Sequence, residues 1–150
     1  MRVLRQLTAA TCVLICFLFC AVGPACGDRL YFSRFYLDLP EGWKVFEQGP
    51  TVAVTADDGS SSMTITIETQ VNVPLKQWAQ NVSRQLNGNL PEWNGASYTI
   101  SFVNSNGIIG VAVIQNMLDR GNMPNGDYLL IIVTGENPGL WDILDSLEEI

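Results

Sequence analysis

Residues Gly107–Leu118 read GIIGVAVIQNML, the longest apolar run downstream of the amino terminus, with turn-forming residues on both sides. One alternating set is Ile109, Val111, Val113, Gln115 and Met117; the other is Ile108, Gly110, Ala112, Ile114 and Asn116. Both sets are mostly apolar, as in a strand covered on both faces. Gly110 and Ala112 leave little side chain on the second face, so another layer can approach closely there, and a helix is the expected one. The stretch predicts the central strand of a sheet, with the rest of the chain arranged around it.

Working outward, Tyr98–Val103 alternates with Tyr98, Ile100 and Phe102 inward, and Asn106-Gly107 reads as a two-residue hairpin turn into the central strand. Beyond it, Asp119–Gly126 is loop-like, and Tyr128–Thr134 is a second strand apolar on both sides, hence a neighbour of the first. Upstream, Arg34–Leu39, Trp43–Phe46, Thr51–Ala56 and Met63–Thr69 read as strands. Pro40-Glu41-Gly42, Gly49-Pro50 and Asp57-Asp58-Gly59 separate them as turns. Asp28–Ser33 is a short lead-in.

The period changes after Pro74. Leu75, Trp78, Ala79, Val82 and Leu86 form a helical stripe, with Pro74 in the first turn and Gly88 past the end. Asn137-Pro138 opens a last helix, with Asn137 as its cap and Leu140, Trp141, Leu144 and Leu147 as its stripe. The predicted order is β-β-β-β-α-β-β-β-α. Tight turns make the sheet mainly antiparallel, and its doubly apolar strands need cover on both sides, which gives an α+β sandwich with the sheet between helices.

The first 27 residues, MRVLRQLTAATCVLICFLFCAVGPACG, read as a secretory leader. Arg2 and Arg5 form a basic start, Leu7–Val22 an apolar core, and Ala25-Cys26-Gly27 a small-x-small cleavage motif. Cleavage after Gly27 leaves a single domain over residues 28–150, in the periplasm or outside the cell. Two other readings are open. The apolar run is of marginal length for a membrane anchor, which needs roughly 20 residues. Alternatively Cys26 or Cys20 carries lipid, although neither follows a leucine-small-small pattern. Cys12, Cys16, Cys20 and Cys26 all lie in this segment, so no disulfide framework is expected in the domain.

Loss of Arg2 and Arg5 takes the formal charge from −7 to −9. Nucleic acid and anionic lipid both select basic surfaces, so neither is an expected partner, and a membrane enters only through an anchor or a lipid. The sequence contains no histidine, which removes the commonest general base and transition-metal ligand.

The segment Leu37-Asp38-Leu39-Pro40 followed by Glu41-Gly42-Trp43-Lys44-Val45 resembles the opening signature of the PsbP-like and DcrB-like superfamily. The strand Tyr128–Thr134 followed by LWDILDSL at Leu140–Leu147 resembles the closing segment of that group. The resemblance implies an antiparallel sheet flanked by helices and a role in binding other proteins or assemblies rather than catalysis. It carries over no individual binding residue.

Several polar groups are of types that could carry chemistry. Asp57-Asp58 with Glu68 offers calcium-type oxygens but lacks the D-x-D-x-D-G spacing, and a turn explains the aspartates. Asp142, Asp145, Glu148 and Glu149 read as a solvated helix face. Ser60, Ser61, Ser62 and Ser146 have no histidine to activate them, and Lys44 and Lys76 stand in no recognisable Ser-Lys motif. No cofactor, metal or catalytic residue is assigned. Trp43, Trp78 and Trp141 fall on expected core faces. Trp93 does not: it lies in the loop Asn89–Ala96, where it serves either as a lid on the core or as an aromatic anchor for a partner. Asp119 and Arg120 in the next loop are its expected polar neighbours. The expected function is an exported, non-catalytic binding or assembly module with a protein partner. The alternative is a carrier of a small apolar ligand held beside Gly110 and Ala112.

Overall fold

The structure is a computed structural model that describes residues 27–117 and 126–150. The strands are β1 (Asp28–Tyr31), β2 (Phe35–Leu39), β3 (Trp43–Gln48), β4 (Thr51–Ala56), β5 (Ser62–Gln70), β6 (Glu92–Trp93), β7 (Tyr98–Val103), β8 (Ile109–Asn116), β9 (Gly126–Thr134) and β10 (Glu148–Glu149). Helix α1 (Leu75–Leu86) follows β5, and helix α2 (Gly139–Ser146) follows β9. The strand pairs with assigned register are all antiparallel, so the protein is α+β. Contacts among the described residues fall into two compact units: residues 27–43 together with Pro138–Ile150, and the described part of Lys44–Asn137.

The larger unit is built on a seven-stranded sheet ordered β3-β4-β5-β9-β8-β7-β6. The expected central strand is β8, which sits one place off centre; β9 takes the middle. On one face, Ile100 of β7, Ala112 and Ile114 of β8 and Tyr128 of β9 form a core with Leu75, Trp78, Ala79 and Val82 of α1. The helical stripe is therefore the buried stripe. Tyr128 is fully buried, stacks near Trp78 with ring centroids 5.2 Å apart, and donates its hydroxyl to the Val73 carbonyl at 2.7 Å. Burial raises its pKa above the usual tyrosine value. On the opposite face Val52, Val54, Met63, Ile65, Leu129 and Ile131 are buried, as strict alternation along β4 and β5 requires.

The hairpin between β7 and β8 departs from the two-residue reading. Asn104 and Ile108 still pair, Gly107 adopts φ +77°, and the Asn104 carboxamide oxygen accepts the Asn106 and Ile108 N–H groups, both at 2.9 Å. The connection is a three-residue turn ending in a left-handed glycine, organised by Asn104 rather than by Asn106-Gly107 alone.

In the smaller unit, β2 pairs with β1 on one side and β10 on the other. Phe35, Leu37, Leu140, Ile143, Leu144 and Leu147 are buried, and α2 packs on β2. Ser146 closes this contact: its hydroxyl accepts the Asp38 N–H and donates to the Ile143 carbonyl, both at 2.8 Å. Three expectations change here. The lead-in Asp28–Ser33 contains β1, and the acidic end of α2 leaves the helix as β10, so the element order is longer than predicted. Trp141 is 56% exposed, with Ile143 in the core instead, because on so short a helix the stripe rotates by one residue. Pro138, with no side-chain cap bond, occupies the cap position expected for Asn137.

Candidate interaction surface

Of the three residues singled out for partner contact, Asp119 and Arg120 lie outside the described residues, as do Cys20 and Cys26. Trp93 is described, and it does not sit in an irregular loop. It forms β6 with Glu92, pairing with the β7 edge as Glu92↔Thr99 and Trp93↔Tyr98. Directly opposed residues share a face, and the Trp93 and Tyr98 rings meet at a centroid distance of 4.7 Å, tilted by 47°. Tyr98 in turn packs on the core beneath α1. Trp93 is thus anchored on one side and 50% exposed on the other, part lid and part free surface. Leu90, three residues earlier, is 83% exposed.

The backbone under this surface is fixed from both ends. Helix α1 stops at Asn87, which takes φ +50°, and the Gly88 N–H returns to the Ser83 carbonyl at 2.9 Å. A Cβ on Gly88 would stand 2.5 Å from Ile100 Cγ2, so only glycine lets the chain leave the helix this close to the sheet. Buried Ser83 donates to the Asn89 carbonyl at 2.6 Å. Asn89 then fills the next edge position of β7: its N–H donates to the Ser101 carbonyl at 2.9 Å, and its side-chain oxygen accepts the Ser101 N–H at 2.8 Å. On the far side, Asn94 accepts the Ala96 and Ser97 N–H groups at 3.1 and 2.9 Å, and Gly95 takes φ +98°. An exposed aromatic residue on a hydrogen-bonded frame loses little freedom on binding, which is what an interface anchor requires.

The aspartates and serines of the β4–β5 turn are engaged structurally. Asp57 pairs with Lys44 at 3.0 Å, and Asp58 accepts the Ser60 N–H at 2.9 Å; the Ser60 side chain first, and then its N–H, hold the Asp58 carboxyl below its ordinary pKa. The Glu68 carboxylate accepts from the Gln70 amide at 2.9 Å. The Ser61 hydroxyl, in a buried residue, accepts the Asn137 N–H at 2.9 Å, and the Ser62 hydroxyl bonds that of Thr134 at 2.8 Å. In the smaller unit Arg29 grips Asp38 with two bonds of 2.7 and 2.9 Å and lies 4.6 Å over the Tyr36 ring. The Tyr36 hydroxyl donates to Glu148. The Arg29 hydrogen bonds hold Asp38 below its ordinary pKa, and the bond to Glu148 raises that of Tyr36. Among the described residues, no group of three or more acidic or cysteine side chains is placed to hold a metal, and no helix is long and apolar enough to cross a membrane.

No protein-family model and no curated protein matches this chain. Among solved structures, a crystal structure from Bacteroides thetaiotaomicron VPI-5482 at 1.50 Å resolution aligns with a TM-score of 0.47 and 13% identity, over 83% of this chain and 49% of that one. The chain spans about half the length of that protein.

What sequence reasoning missed at this surface is Leu90 and the role of Tyr98. Tyr98 reads as an ordinary inward strand residue, and only the pairing of β6 makes it a platform. The signal available was the polar frame, with Asn89 and Asn94 placed either side of Leu90 and Trp93.

Proposed function

We propose that this chain is an exported, non-catalytic binding or assembly module of the PsbP-like and DcrB-like kind, whose protein partner docks on the Trp93 edge. The observation that carries the reading is the half-exposed Trp93 ring held against Tyr98 on a hydrogen-bonded frame. A ring so placed offers a large apolar contact at low entropic cost, the common character of interface hot spots. The helix–sheet–helix sandwich of that superfamily is part of the same proposal. Within the smaller unit, α2, which carries the closing segment, meets Trp43 of the opening one: a Cβ on Gly139 would stand 2.7 Å from the Trp43 indole nitrogen.

The carrier alternative needs open space beside Gly110 and Ala112. Phe102 covers Gly110, and Ala112 is fully buried in the core under α1, so packing favours the module.

The test is a photo-cross-linking residue placed at position 93, or at Thr64 as control, in the protein expressed in its own cell. A single stoichiometric protein captured from position 93 and not from position 64 supports the proposal. Equal capture from both positions, or none from 93 in a sample that retains its partner, contradicts it.

A further inference from the structure

We infer that the Trp93 surface receives an amphipathic helix of the partner, through a contact stripe that carries no charge. The inference rests on reading Trp93 as the partner's docking point, and it adds what kind of segment docks there.

This edge of the sheet is closed to strand addition. β6 is the outermost strand and offers two residues, Glu92 and Trp93. Pro91 before them has no N–H to donate. Past β6, the outer side of β7 is taken by Asn89, which holds both the N–H and the carbonyl of Ser101. Very short edge strands and proline are how a sheet blocks pairing with another chain. Recognition here falls to side chains. A helix suits that demand, because it presents an apolar stripe with its own backbone bonds already made.

Leu90 and Trp93 are the apolar side chains that stand out from this edge. From Leu86 to Leu118 the sequence carries one charged residue, Glu92, in a chain where 15% of residues are charged. The other exposed positions described in that stretch hold asparagine, serine, glycine or apolar residues. Val103 and Ile109, opposed across β7 and β8, are among them. Glu92 opposes Thr99 while Trp93 opposes Tyr98. Neighbouring strand residues point to opposite faces, so the carboxylate lies on the other face of the sheet from the ring. An aromatic side chain amid depleted charge is the composition of an interface core. A charge in the partner's stripe would be buried against Trp93 and Leu90 without a counter-charge, which is costly for either sign. The stripe that complements this surface is uncharged.

The test places a photo-cross-linking residue at position 93 and, separately, at position 90 of the full chain in its own cell. The cross-linked segment of the captured polypeptide is then sequenced by tandem mass spectrometry. The expected result is one polypeptide from both positions, attached at residues spaced i, i+3, i+4 or i+7 along an apolar stripe. Attachment at every second residue, as on a strand, attachment to a stripe containing Lys, Arg, Asp or Glu, or capture from position 93 alone overturns the inference and leaves the docking point standing. Capture of nothing from position 93 in a sample that retains its partner overturns the docking reading, and the inference with it. Leu90→Lys and Leu90→Glu, both at a position 83% exposed, should each weaken binding of the captured polypeptide by roughly tenfold or more. Tighter binding with either sign would reveal a charged partner surface and contradict the uncharged stripe.

Discussion

Phe102 lies directly across the β7–β8 pair from Gly110, and its ring covers the glycine backbone: a Cβ at 110 would stand 2.3 Å from Phe102 Cζ. The small residues of the central stretch do admit a close neighbour. That neighbour is an aromatic side chain from the adjacent strand, with α1 packing beyond it. The phenyl ring supplies the side chain that the glycine lacks.

Gly110→Ala should therefore destabilise the fold by about 1–3 kcal/mol, as overpacking of a filled core does. Phe102 is buried and cannot swing into solvent. Chemical denaturation measures the loss, and the double variant with Phe102→Leu should recover part of it. Strict additivity of the two changes would contradict the contact.

Gly139→Ala should strain the smaller unit in a similar way, because the new methyl meets the Trp43 indole at 2.7–3.2 Å. A loss of about 1–3 kcal/mol is expected, together with an altered near-ultraviolet circular dichroism signal from Trp43. An unchanged spectrum and stability would place Trp43 elsewhere.

Much of this frame was legible because it depends on local periodicity. Val52 and Val54, Met63 and Ile65, and the stripe Leu75-Trp78-Ala79-Val82 each repeat at the spacing of the surface they bury. β1, β6 and β10 were not legible in the same way. Arg29, Tyr31, Glu92, Trp93, Glu148 and Glu149 are all exposed, so no apolar alternation marks them, and only pairing with β2 or β7 makes them strands. Trp141 misled for a related reason: on a two-turn helix, Leu140, Ile143, Leu144 and Leu147 form as good a stripe without it. For Trp93 the sequence exposed the question, lid or anchor, but the answer lay in its register with Tyr98.

Acid should weaken the smaller unit through Asp38. Its folded pKa lies below the unfolded value, so between the two the unfolded chain binds more protons and stability rises with pH. The contribution is complete above the ordinary aspartate value of about 4 and disappears as pH falls through the folded one. Asp38→Asn should flatten the acid limb of a stability–pH profile. Tyr36 works at the other end: its raised pKa makes its contribution full below the ordinary tyrosine value of about 10 and lost as pH climbs past the folded one. Tyr36→Phe should remove that alkaline component.

Trp93→Ala should cost about 1–3 kcal/mol of stability, since half of the side chain is buried and its ring pair with Tyr98 adds roughly 0.5–1.5 kcal/mol. Partner affinity, measured on the folded variant, should fall by a further ~2 kcal/mol or more, the loss of a hot spot. Thermal melting and titration with the captured partner separate the two effects. A loss of stability that matches the loss of binding would make Trp93 a lid alone.

The most direct test of the binding-module account is native mass spectrometry of the protein isolated from its own cells, with Trp93→Ala alongside. The account predicts a chain beginning at Asp28 in a defined complex with a second polypeptide, and dissociation of that complex in the variant. A chain that instead carries a bound small molecule, or a complex indifferent to Trp93→Ala, would contradict it.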